Sequence, residues 1–256
     1  MTRIISIVSG KGGVGKTTLV ANLGALLATK YKKEVIVIDC NLTTSHLSLY
    51  LGMYYCPTTI NKVLMGESHI YDAIYEHFTG MKVIPASLSL KDFQGVDLTK
   101  INEPIEKLEG KADFILLDIA TGLDRTAVAA LKASKEVIFV TIPFLPSIMD
   151  VIRAKQIVES FDVKPLGIVL NMATKENHEL KAKEVEGLVE LPVIATVPAD
   201  KNVHKSLSAK TPVVLSSPSS PASKQINKVA ESILGIEGFR PERQDLFSKI
   251  FRPFKG

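Results

Sequence analysis

The chain is predicted to be an α/β protein with a mostly parallel, doubly wound β-sheet flanked by helices. Three observations predict this. Seven short runs rich in β-branched residues recur along the sequence, each apolar on both faces rather than alternating, as strands buried between two helical layers are. Longer segments with helical patterning separate them. The first run leads straight into a glycine-rich turn that opens a helix, which is the setting of a phosphate-binding loop.

Taken in order, the strands are read at "IISIVS" (4–9), "EVIVID" (34–39), "MKVIPA" (81–86), "DFILLD" (113–118), "EVIFVTI" (136–142), "LGIVLN" (166–171) and "PVIATVP" (192–198). Helices are expected over 16–30, 126–134, 147–159 and 222–234. No internal repeat is present. "SSPSSPAS" (216–223) is a loop leading into the last helix, and after Gly235 the chain becomes a polar tail with aromatics. The expected division is one α/β domain over 1–237 and a flexible tail over 238–256.

Composition narrows the class. A chain of 256 residues with 46% hydrophobic content and no apolar run of membrane-spanning length is expected to form one large soluble domain. Arg3 precedes only the short run 4–8 before the glycine loop, so no cleavable signal is read and a cytoplasmic location is expected. Cys40 and Cys56 are too far apart for a C-x-x-C pair and read as small packed residues. The five histidines show no metal-ligand spacing and read as ordinary surface or packed residues. A net charge of +4 is modest and does not call for nucleic acid.

"SGKGGVGKTT" (9–18) is the strongest signal. Gly10, Gly15, Lys16 and Thr17 complete G-x-x-x-x-G-K-S/T. The glycines let backbone N–H groups converge on phosphate oxygens at the positive end of a helix, Lys16 faces the β- and γ-phosphates, and the Thr17 hydroxyl ligates Mg²⁺. One lysine suffices for that chemistry, yet the loop carries a second, Lys11. The fuller pattern, with Lys11, Gly12, Gly13, Val14, Gly15, Lys16, Thr17 and Thr18, resembles the deviant Walker A motif of the MinD/ParA family of P-loop ATPases. The resemblance extends from residue 1 to about 235. It implies that Lys11 reaches the phosphates of a partner subunit in an ATP-bound homodimer, much as an arginine finger does.

The same resemblance assigns further residues. "DCNLTTSHLSLYLG" (39–52) lies where the family carries its first switch, and "DFILLDIATG" (113–122) matches its Walker B strand and second switch. Asp39, Asp118 and Thr17 are thereby the implied Mg²⁺ set, Gly122 offers its N–H to the γ-phosphate, and Asn171 reads adenine. ATP and Mg²⁺ are the implied cofactors and ATP hydrolysis the implied reaction. Asn41 departs from the pattern: the family has an aspartate there, credited with activating the attacking water. An amide accepts a hydrogen bond from water but takes no proton near neutral pH, so slow hydrolysis is expected. Ala120 and Phe144 also depart, standing where a proline and an acidic residue are common.

In "QDLFSKIFRPFKG" (244–256), Leu246, Phe247, Ile250, Phe251 and Phe254 share one helical face, with Ser248, Lys249, Arg252 and Lys255 off it. An amphipathic segment pairing aromatics with cations suits an anionic membrane surface, although Pro253 interrupts the pattern. The segment resembles the membrane-targeting sequence of MinD-type members. Phe247, Lys249, Ile250, Phe251, Arg252 and Phe254 are its expected contacts, and the location expected is peripheral on the inner face of the membrane. Docking of the tail on the protein itself or on a partner is the other reading. The function expected is a dimerising ATPase switch of MinD type that positions or recruits other components, with cargo and activator unnamed. A DNA-partitioning ATPase of ParA type, or a scaffold that scarcely turns over, are the alternatives.

Overall fold

The computed structural model describes residues 1–236 except Thr43, Gln94, Gly95, Leu123, Asp124 and Lys175. The expected membrane contacts, Phe247, Lys249, Ile250, Phe251, Arg252 and Phe254, and the domain boundary after residue 237 therefore lie outside the described residues.

Eight strands form one sheet: β1 (Arg3–Val8), β2 (Val35–Cys40), β3 (Tyr75–Glu76), β4 (Lys82–Ile84), β5 (Phe114–Ile119), β6 (Glu136–Thr141), β7 (Lys164–Ala173) and β8 (Val193–Pro198). Their spatial order is β3-β4-β2-β5-β1-β6-β7-β8, and every neighbouring pair is parallel except β3 with β4. All seven expected strands are present. The missed strand, β3, is a two-residue, half-exposed edge with too few residues to carry a pattern.

The helices are α1 (Lys16–Thr29), α2 (Leu47–Tyr50), α3 (Ile60–Leu64), α4 (Asn102–Glu106), α5 (Arg125–Lys132), α6 (Leu145–Glu159), α7 (Ala182–Val189), α8 (Lys201–Ser208), α9 (Val213–Ser216) and α10 (Pro221–Leu234). They enclose a hydrophobic core on each face of the sheet. Ile4, Val8, Ile36 and Ile38 point to one side, towards Ala127, Ile148 and Val185, while Ile5, Ile7, Val35 and Val37 point to the other, towards Leu23, Leu27, Val213 and Ile226. Side chains alternate across each strand, yet both faces are dry, which is why the strands read as unbroken apolar runs.

Local signals fix the last helix. Ser220 accepts a hydrogen bond from the Ser223 N–H, Pro221 supplies a first residue already in helical φ, and Gly235 ends α10 at φ 66°. α1 is different, for it is buried along most of its length between the sheet and α10. Its close approach to the sheet depends on Gly24, where a Cβ would lie 2.7 Å from Val37 Cγ2 and 3.1 Å from Met81 Sδ.

The strand order places the site. The chain runs from β1 outwards to β2 on one side and, after β5, crosses to β6 on the other, so the crevice at the carboxyl ends of β1, β5 and β6 is a topological switch point. β2 and β5 pair in register with Asp39 opposite Asp118, which sets two carboxylates side by side at that edge.

Alanine favours a helix over glycine by about 1 kcal/mol, but the added methyl here meets a β-branched side chain fixed in the sheet. Gly24→Ala should therefore destabilise the fold by about 1–3 kcal/mol in urea unfolding. A gain in stability would show that the helix–sheet spacing has slack.

Candidate functional site

The loop between β1 and α1 is shaped by its glycines. Gly13 and Gly15 take positive φ, 77° and 90°, a region costly for side-chain-bearing residues. A Cβ on Gly15 would lie 2.1 Å from Asn171 Nδ2, and one on Gly10 would lie 2.3 Å from Asp150 Cβ on α6. Gly10 is therefore glycine because α6 packs on it, and it is absent from the cavity wall, whereas Lys11, Gly12, Gly13, Val14, Gly15, Lys16, Thr17 and Thr18 all line the cavity. The cavity holds about 850 Å³. Its floor is the start of α1, which has no acidic residue in its first turn and no side-chain cap, so its first N–H groups face a space that suits an anion.

Beneath the loop the charges are buried. Lys16 is 5% exposed, Asp118 1% and Asp39 0%. Lys16 Nζ stands 3.6 Å from Asp118 Oδ1, an ion pair longer than a hydrogen bond, and that oxygen has no hydrogen-bond partner among the described residues. Burial raises the Asp118 pKa, with Lys16 and the Thr17 hydroxyl opposing the shift. Burial also pushes the Asp39 carboxyl up to about 7, helped by the charge of Asp118 and opposed by hydrogen bonds from Ser45 and from the Asn41 and Leu47 N–H groups.

An orphaned buried carboxylate oxygen beside a threonine hydroxyl fits Mg²⁺, which keeps most of its waters and takes few protein ligands. Thr17 and Asp118 would hold it. Asp39 is placed differently from the expectation. Its Oδ1 accepts from Asn41 N at 3.0 Å, and its Oδ2 accepts from Ser45 Oγ at 2.7 Å and Leu47 N at 3.3 Å, so both oxygens are committed to the loop that follows β2. Among the described residues no group of three or more His, Cys, Asp or Glu forms a metal cage.

That loop carries Asn41, which is buried and lines the cavity. Its amide faces Thr44: Asn41 Nδ2 donates to Thr44 O at 2.9 Å, and the Thr44 hydroxyl donates to Asn41 Oδ1 at 3.1 Å. Asn171 ends up beside the phosphate loop, donating from Nδ2 to Val14 O at 2.8 Å, and lines the cavity. Lys11 is exposed at the cavity rim, its backbone carbonyl held by the Ser9 hydroxyl at 2.9 Å. Gly122 corrects an expectation. Its N–H donates to Ser9 O at 3.3 Å, and Thr121, not Gly122, lines the cavity. Serving a phosphate would require that bond to open.

Sequence reasoning missed the far end of the cavity. Val197, Pro198, Ala199, Asp200, Val203, His204 and Leu207, from the end of β8 and α8, close it, and α8 was not expected as a helix. His46 and Tyr50 line it as well. Two of five histidines thus face the site, and their spacing in sequence held no signal because the fold, not a motif, brings them together. His77 is the packed residue expected, bonded to Thr79 Oγ1 and Leu51 O. Both cysteines are unpaired, and burial pushes their thiol pKa values up. Asp150 and Arg153 form an ion pair of 3.7 Å along α6, an ordinary helix-surface pair; Asp124 lies outside the described residues.

The model for the CobQ/CobB/MinD/ParA nucleotide binding domain matches residues 5–213. An uncharacterised ATP-binding protein of Methanocaldococcus jannaschii is 33% identical over 259 residues, covering 100% of this chain and 98% of that one. Among solved structures, the cell division ATPase MinD of Pyrococcus furiosus superposes with a TM-score of 0.88 at 34% identity, covering 92% of this chain and 99% of its own. The septum site-determining protein MinD of Pyrococcus horikoshii, solved in complex with Mg-ADP, gives 0.89 at 33% identity, covering 93% and 98%. On these matches, this chain belongs to the MinD/ParA family of P-loop ATPases, within the CobQ/CobB/MinD/ParA nucleotide-binding domains.

Proposed function

We propose that this protein is a nucleotide switch of MinD type, which binds Mg²⁺·ATP in the cavity beside β1, dimerises over it, hydrolyses it slowly and associates with membrane through its tail. The observation that carries the reading is the buried Lys16–Asp118 pair under a complete phosphate loop, with one carboxylate oxygen unsatisfied. In this reading the N–H groups of 12–18 and Lys16 hold the phosphates, Thr17 and Asp118 hold Mg²⁺, and Asn171 with the β8–α8 wall takes the base. Bound Mg²⁺ supplies charge neutralisation between the phosphates and the carboxylates. Residues 1–237 would act as the ATPase unit and 238–256 as the tail.

Exposed apolar side chains beside the cavity support a dimer face. Met172 lines the cavity, and Leu145 and Met149 stand on the first turns of α6, whose Asp150 packs on Gly10; all three are 42–53% exposed. Lys11, exposed at the same rim, is available there to a partner's phosphates. Two tails joined in one dimer bind a surface far more tightly than one, which would make membrane binding depend on ATP. No described helix is long and apolar enough to cross a membrane.

Co-sedimentation with anionic liposomes tests the whole reading. The full chain should bind in ATP and be released in ADP, and truncation after Gly238 should abolish binding; equal binding in both nucleotides would overturn it. Single-turnover hydrolysis tests the timing. Asn41→Asp restores a group that can take a proton, and the rate should rise by on the order of 10² or more; an unchanged or slower rate refutes that account.

Metal-free stability reports on the carboxylates. Because the folded Asp39 pKa lies above its unfolded value of about 3.9, the folded state favours the protonated acid. Its contribution is fully present below about pH 4 and is lost as pH rises towards 7. In EDTA the wild type should therefore lose stability relative to Asp39→Asn between pH 4 and pH 7, by on the order of a few kcal/mol. Parallel curves would mean that Asp39 is charged at low cost.

A further inference from the structure

The loop after β2 brings Asn41 and His46 to the cavity that the phosphate loop lines, and the first is already engaged. Both ends of the Asn41 amide face Thr44, one donating to its carbonyl and one accepting from its hydroxyl. Five residues on, His46 precedes α2, makes no helix-capping hydrogen bond, is exposed and lines the cavity with Lys16 and Thr17. Asn41 and Thr44 of the same loop line that cavity with it. The His46 ring lies 6.2 Å from Tyr50, tilted by 30°, which limits its swing away from the site.

We infer that His46 accepts the proton of the attacking water in ATP hydrolysis, the task that the clasped Asn41 amide is not placed to perform. The inference rests on the ATPase reading above. The water oxygen bonds to the γ-phosphorus while the bond from that phosphorus to the β–γ bridging oxygen breaks, and the bridging oxygen leaves with the electron pair as part of ADP. The water's proton passes to an unprotonated imidazole nitrogen and then to solvent. Imidazole suits this step, since its unprotonated nitrogen offers a lone pair that can take a proton, which an amide never offers as a base. The other titratable groups lining the cavity are Lys11 and Lys16 of the phosphate loop, Tyr50 of α2, and Asp200 and His204 at α8, with Asp118 and Asp39 buried. The loop holding His46 is itself fastened by Ser45 Oγ to Asp39, so closure of the metal site and placement of the imidazole are linked.

The test uses the full chain with ATP, and with Mg²⁺ and a non-hydrolysable ATP analogue. Calorimetry first establishes nucleotide binding. No binding would sink the ATPase reading and this inference together, whereas binding with any failure below sinks only the inference. His46→Ala should bind ATP within about threefold of wild type yet hydrolyse it at least about 10²-fold more slowly in single turnovers. The wild-type rate should fall on the acid side of its pH profile, and His46→Ala and His46→Gln should lack that limb. The imidazole Cε1–H resonance of His46, assigned by its absence in His46→Gln, should shift its titration midpoint when the Mg²⁺·analogue binds. A wild-type hydrolysis rate in His46→Ala, an acid limb surviving in it, or a His46 resonance indifferent to nucleotide would each overturn the role.

Discussion

Two carboxylates end adjacent parallel strands with almost no access to water, and the site is arranged around that constraint. Register places Asp39 opposite Asp118, so their like charges cannot be separated without unpairing β2 from β5. The molecule handles the two acids differently. Asp118 receives Lys16 at 3.6 Å and keeps an oxygen unsatisfied, while Asp39 is wrapped by three donors from its own loop. The first arrangement leaves a place for a cation. The second ties the shape of a switch segment to the charge beneath it, since any change in the field at Asp118 is felt by the carboxyl that holds Ser45 and Leu47 in place.

Much of this was legible in the sequence. An apolar run, a glycine turn and G-K-T-T specify a strand, a phosphate loop and a helix together, because each part makes physical sense only beside the others. Asp118 could be read as the polar residue ending an apolar strand, and its burial beside Lys16 follows from strand order. What the sequence hid was what the fold assembles from distant segments. The need for glycine at 10 comes from α6, some 140 residues on, and at 15 from Asn171 as well as from its own positive φ, so local sequence shows only part of the reason. α8 closes the cavity with His204 and Leu207, but its eight residues, most of them polar, carry too short a pattern to stand out. Gly122 shows the opposite limit: a motif names a residue's role with nucleotide bound, while the N–H in this structure is paired to Ser9.

Asn41 joins local structure to chemistry. A carboxylate there could still accept from the Thr44 hydroxyl, but it could not donate to the Thr44 carbonyl, and two oxygens would then face each other across a gap now spanned by an N–H at 2.9 Å. The bond to the Thr44 carbonyl depends on the residue being an amide. The same amide lacks a basic site, so the side chain that makes both bonds to Thr44 cannot itself take a proton from water. An aspartate at 41 would exchange one for the other, giving up the bond to Thr44 O and regaining a group that can take a proton. If the reaction needs a base, it has to come from another position on the loop, one whose side chain is not part of the turn. Within that segment, position 46 lies beyond the Asn41–Thr44 clasp and beyond the Ser45–Asp39 bond, at the first place where the backbone has turned into α2 and a side chain is turned to the cavity without unmaking either.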